Sequence, residues 1–89
     1  MVEIVGYIAA VLTTGAMVPQ IIKAIRHKTT AGISLYMYIS FVIGLFLWIV
    51  YGFLVNDLVI IIANCVAFTL GLTILVFKIV NIFKKSEKP

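Results

Sequence analysis

The sequence predicts an all-α membrane protein built as a bundle of three transmembrane helices, and three observations carry that prediction. Hydrophobic residues make up 64% of the 89 positions, with a mean hydropathy of +1.25. Soluble domains average about 45–50% apolar, and a chain this short could not hide the excess in a core of its own. The apolar residues fall into three segments, at about 4–25, 35–55 and 58–80. Each is close to the ~20 residues that cross a bilayer as a helix. Finally, the seven basic residues, Lys23, Arg26, Lys28, Lys78, Lys84, Lys85 and Lys88, read as lying in the first connection or after the third segment. With three spans those places share one face of the membrane, whereas an even number of spans would divide them. The positive-inside rule makes that face cytoplasmic and puts the N-terminus outside. The net charge of +4 is thus accounted for by topology and calls for no nucleic acid.

The first segment reads as a span and not as a cleaved signal, since no basic region precedes it and the run exceeds an h-region. Near its inner end stands Pro19-Gln20. A proline gives no N–H and crowds the carbonyl four residues back, here that of Gly15. Thr13 and Thr14 lie nearby, with hydroxyls that can bond freed backbone groups. The pair is either a tolerated kink or a hinge.

The first connection runs from about His27 to Ser34. Gly32 can break the backbone and Ser34 can cap the second helix. Tyr36 and Tyr38 are expected at the inner headgroup level, and His27 as a solvated interface residue. Along the second segment Met37, Phe41, Gly44, Trp48, Tyr51 and Val55 recur at steps of three and four and share one stripe. A pathway lining would look like this, and so would a packing seam. The second connection is only Val55-Asn56-Asp57, so spans two and three form an antiparallel hairpin with Asn56 or Asp57 capping the third helix. Single Cys65 makes no intrachain disulfide and reads as a small packing residue. Residues 1–83 form one domain. The polar, basic stretch 84–89 is expected to be a disordered cytoplasmic tail.

Counting from the hairpin tip at Asn56, Trp48 lies eight residues before and Asn64 eight after. Both sit about 12 Å deep at ~1.5 Å per residue, near the midplane of a core whose half-thickness is ~15 Å. A deep Trp is away from its usual headgroup level, and a deep Asn must find a hydrogen-bond partner. Asn64 could glue helices together while Trp48 meets lipid. Alternatively the two form a polar-solute site. An indole offers an apolar face and one donor, a carboxamide offers two donors and an acceptor, and neither is charged. Three helices cannot wall off a solute path, so a symmetric homodimer is the economical assembly. No acid, base, nucleophile, metal-ligand set or cofactor motif comes together, which excludes most enzymes.

Four segments in order, MVPQIIK, GISLYMYISF, LWIVYG and NDLVIIIANCV, resemble the bacterial SemiSWEET sugar transporters of the PQ-loop (SWEET, MtN3/saliva) superfamily. The resemblance spans roughly residues 6–75. It implies a parallel dimer of three-helix bundles in spatial order 1-3-2, working by alternating access without a cofactor. It makes Trp48 and Asn64 the sugar-site pair, Tyr51 and Asp57 the outer gate, Met37 and Phe41 the inner gate, and Pro19-Gln20 the hinge. Many bacterial relatives carry Arg where this chain has Val55, so the Arg–Asp57 pair of the outer gate is missing here.

The expectation is therefore a homodimeric inner-membrane facilitator of a glucose- or sucrose-like mono- or disaccharide. Glu3, Asp57, Glu87 and His27 all lie away from the midplane, which favours passive uniport over proton coupling. The alternatives are a PQ-loop carrier of another solute, such as an amino acid, or a non-transporting membrane adaptor.

Overall fold

A computed structural model describes residues 2–85, with Lys85 as backbone alone, and 87–89. Four helices succeed one another: α1 (Val2–Gly15), α2 (Val18–His27), α3 (Leu35–Leu54) and α4 (Leu58–Lys85). Helices α1 and α2 together make the first span, Val2–His27. All three spans are long and apolar enough to cross a membrane, and the chain is a multi-pass membrane protein.

The break in the first span is local. The helix tightens at Met17 N–H to Thr14 O (3.0 Å) and restarts with Pro19 in the first turn of α2. A proline there forfeits an N–H that a helix start leaves unpaired anyway. The threonines act one turn earlier than expected. Thr13 Oγ1 donates to the Ala9 carbonyl at 2.7 Å and Thr14 Oγ1 to Ala10 at 2.6 Å. Neither reaches the carbonyl of Gly15, because a helical hydroxyl points back toward its own preceding turn.

Between α3 and α4 the chain reverses in three residues. Asn56 takes the left-handed conformation (φ 54°), which Asn tolerates better than most side chains. The Asp57 N–H bonds Gly52 O at 2.9 Å and the Asn56 N–H bonds Phe53 O at 3.3 Å. These two bonds are the Schellman closure of a helix end. Asp57 then caps α4, its Oδ1 accepting from the Ile60 N–H at 3.2 Å. The cap is thus Asp57, and Asn56 supplies the turn. At the other end of α3, Ser34 is the N-cap, accepting from the Met37 N–H at 3.4 Å.

Helix α4 lies in the middle. It packs on α3 and on both halves of the first span, whereas no Cα of α1 or α2 comes within 8 Å of one in α3 among the described residues. The spans are therefore ordered 1-3-2. Gly52 lets α3 and α4 close at the outer end: a Cβ there would stand 2.9 Å from Ile61 Cγ1 and 3.2 Å from the Ile61 nitrogen. The core is small. Met17, Leu45, Ala67 and Ile74 form it, with Tyr38 and Phe68 packed against it.

The chain measures 46 × 22 × 14 Å along its principal axes. Its thinnest dimension is little more than one helix, about 10–12 Å across. Its accessible surface, 6195 Å², exceeds the roughly 5,200 Å² of a compact soluble chain of 9.9 kDa. A slab this thin encloses nothing by itself.

Two expectations at the inner end need correction. The helix of the third span runs to Lys85, five residues past the expected end at Val80, and Lys78, read as lying after the span, is inside it and only 2% exposed. The stretch beyond it is not a loose tail. Glu87 accepts from Thr30 Oγ1 at 2.8 Å, and the Pro89 carbonyl accepts from the Leu35 N–H at 2.8 Å. Order there comes from partners more than fifty residues away in the chain; of the expected tail, Ser86 lies outside the described residues.

Candidate functional site

Most of the stripe along α3 is uncovered by the rest of the chain. Met37, Phe41, Trp48, Tyr51 and Val55 are all exposed, while Val42, Leu45 and Gly52 are the buried residues of α3. Two aromatic pairs stand on this side of α3. Near the start of α3, Tyr38 meets Phe41 edge-on with ring centroids 5.5 Å apart. Nearer the hairpin, Trp48 meets Tyr51 edge-on at 5.4 Å. Such geometry suits the ring quadrupoles and holds each indole or phenol in a fixed pose. Gly44 separates the pairs, and a Cβ there would meet nothing within 4 Å. With Leu47, Trp48 and Tyr51 it lines an open hollow of about 350 Å³.

Asn64 belongs to a different space. A cavity of about 510 Å³ opens between the first span and α3, floored by α4. Gly6, Ala9, Ala10, Ala63 and Ala67 make it roomy, Phe41 and Leu45 close one side, and Thr13, Thr14 and Asn64 supply the polar groups. Asn64 Nδ2 donates to the Ile60 carbonyl at 2.8 Å. The carboxamide thus keeps its oxygen and one N–H for a ligand, and the two threonine oxygens keep lone pairs. Sequence reasoning assigned these threonines to the kink. Their distance from any charge within the first span is the signal that could have placed them in the cavity.

Trp48 and Asn64 do not share a cavity within one chain, but they do share a level. The approach of Gly52 to Ile60 and Ile61 fixes the register of the hairpin. Four residues inward from each contact lie Trp48 and Asn64. Further along, the Phe46 and Phe68 rings meet across the same hairpin at 6.2 Å.

At the outer end, Asp57 is half-buried and committed to capping α4, whereas Tyr51 packs on Trp48. At the inner end, Phe41 reaches the Asn64 cavity, and Met37 is 74% exposed on the first turn of α3. The second half of the proline pair has a partner that sequence reasoning missed. Tyr38 Oη donates to Gln20 Oε1 at 3.0 Å, joining α2 to α3 across a gap their backbones do not close. Among the described residues, no three His, Cys, Asp or Glu side chains gather as metal ligands would.

The PQ loop repeat pattern matches residues 1–61. The chain belongs to the PQ-loop family. Among its PQ-loop relatives is the sugar transporter SemiSWEET of Escherichia coli, 45% identical over 80 residues, which cover 90% of each chain. The SemiSWEET of Leptospira biflexa is 44% identical over 89% of this chain and 93% of its own. An uncharacterised protein of Methanocaldococcus jannaschii is 41% identical over 96% of this chain and 91% of its own. The fold is shared with a crystal structure of SemiSWEET in the inward-open conformation (TM-score 0.85, 42% identity, 96% of this chain and 91% of that one). It is shared also with a bacterial homologue of SWEET transporters (TM-score 0.82, 36% identity, 86% and 93% covered). Within the matched residues, Pro19 stands in the first turn after the break in the first span, and Gln20 bonds Tyr38 of the second.

Proposed function

We propose that this chain is a sugar transporter that works as a parallel homodimer, moving a mono- or disaccharide passively by alternating access. The observation that carries the proposal is the placement of Trp48. It stands exposed at the level of Asn64, in an open hollow that the rest of the chain does not cover. A second copy related by a two-fold axis along the membrane normal would face this stripe and complete the wall. The uncharged indole, carboxamide and hydroxyl groups suit a neutral polyol, and the relatives named as sugar transporters point the same way.

In this reading Trp48 stacks on the sugar ring and Asn64 bonds its hydroxyls. Tyr51 and Asp57 narrow the outer end, and Met37 and Phe41 the inner end. With Val55 in place of Arg, closure outside rests on Tyr51 and the capped hairpin tip. The bend at Met17 lets α2 swing against α1, with Pro19 and Gln20 as the hinge. The basic inner end lies in the cytoplasm and the hairpin tip outside, in the cytoplasmic membrane of the cell. No chemistry is performed on the solute and no cofactor takes part.

The test is sugar binding and uptake by Trp48→Ala and Asn64→Ala in proteoliposomes. Each should lose most uptake while inserting and dimerising normally. Normal uptake by both would remove the site assignment.

A further inference from the structure

At the inner end, side chains from three places in the sequence meet away from water. Thr30 (1% exposed), Lys78 (2%) and Asn81 (9%) are buried, and the Glu87 side chain is 13% exposed. Thr30 Oγ1 donates to Glu87 Oε1 at 2.8 Å, while the Thr30 N–H and Thr29 Oγ1 donate to Oε2 at 3.4 and 3.3 Å. Lys78 Nζ lies 3.6 Å from Glu87 Oε1 and donates to the Thr30 carbonyl at 3.2 Å. Asn81 Nδ2 completes the cluster by donating to Thr30 Oγ1 at 3.3 Å. Removing either member of the Lys78–Glu87 pair would leave the other charge enclosed and uncompensated, which is strongly unfavourable.

We propose that residues 87–89 form a strap that holds the inner ends of the first and second spans together and restrains their separation. Glu87 grips Thr29 and Thr30, just past the end of α2, and Pro89 grips Leu35, the first residue of α3. The connection itself leaves the spans room to part, since from Thr30 to Leu35 it could stretch to about 17 Å. The strap adds hydrogen bonds on each side of that connection. On the membrane side of it, the Tyr38–Gln20 bond joins the same two spans. Opening the inner end has to undo both links.

The proposal does not depend on which solute is carried, and its test reads structure. Spin labels at Arg26→Cys and Tyr36→Cys, in a Cys65→Ala background diluted with unlabelled chain, report the inner separation of the two spans. Glu87→Gln and deletion of residues 86–89 should each lengthen and broaden that distance, with the separation of Thr30 and Leu35 still limited to about 17 Å by the connection. Lys88→Gln should leave it unchanged. If the deletion variant does not insert, Glu87→Gln and Thr30→Val carry the test. Unchanged distances in the variants, even with a lowered melting temperature, would reduce the cluster to a structural anchor and overturn the proposal. An equal lengthening in Lys88→Gln would overturn it as well.

Discussion

Trp48 and Asn64 differ in how much of their chemistry is already used. Asn64 spends one N–H on the Ile60 carbonyl and keeps its oxygen free, while Trp48 is braced by Tyr51 and leaves its outer face open. A ligand between them would thus meet groups that are held before it arrives. Loss of the indole should reduce sugar affinity at least about tenfold, or ~1.4 kcal/mol, measured by calorimetric titration of Trp48→Ala. Unaltered affinity would assign Trp48 to lipid. Glu87 makes a different prediction. Burial pushes its carboxyl up, but the Thr30 side-chain and backbone bonds, Lys78 and Thr29 together pull it lower, to a net position below the usual 4.5. A carboxyl lowered on folding stabilises above its ordinary value and loses that contribution as pH falls through its folded one. The charged groups lining the adjoining hollow are Lys78, Glu87 and Lys88. The strap should therefore hold unchanged from pH 8 to 5 and loosen only below about 4.5. Exchange protection of the Leu35 amide, corrected for intrinsic rate, tracks this loosening. Loosening near neutrality would show that Glu87 is not the gripping group.

Among the elements, the α3–α4 hairpin was legible because its signals are local. An apolar run, a three-residue polar break and a second apolar run leave one arrangement, and Asp57 is in place to cap the second helix of the pair. Depth counted from that tip put Trp48 and Asn64 at one level, and the Gly52 approach to Ile61 fixes the same register in space. The inner end was illegible for the opposite reason. Glu87 stands among lysines and reads as solvated, while its partners Thr29 and Thr30 lie 58 and 57 residues distant. The division of polar groups between two hollows was equally hidden, since it depends on which side of α4 each neighbour takes. Replacing Asn56 by Val should cost about 1–2 kcal/mol through the left-handed turn, against little or nothing for Asn56→Gly. Thermal melting of both in detergent checks this; equal losses would mean the turn is not strained. At the break in the first span, Pro19→Ala restores a backbone donor and should slow turnover while leaving sugar affinity near its original value. Tyr38→Phe removes the bond to Gln20 and should speed opening of the inner end. Unchanged turnover in Pro19→Ala would make the break a tolerated kink.

For the whole molecule, thinness is the organising fact. A slab 14 Å across exposes the aromatic stripe of α3 to whatever lies beside it. Lipid would accept Phe41 but leaves the hollow at Trp48 without a second wall, whereas a second copy would supply one. Charge bears on the proposed passive mechanism. Lys78 lies about twenty residues into α4, about 30 Å from its hairpin end, which is the depth of a bilayer boundary and not of its midplane. The Lys78–Glu87 pair therefore lies well away from Trp48 and Asn64, whose own side chains are neutral. The most direct measurement is uptake of a panel of radiolabelled sugars by the purified protein in proteoliposomes, with and without imposed proton and sodium gradients. At least one mono- or disaccharide should enter until inside and outside concentrations are equal, at a rate and final level that neither gradient alters. Uptake of no sugar, or accumulation above equilibrium that an uncoupler abolishes, would contradict the account.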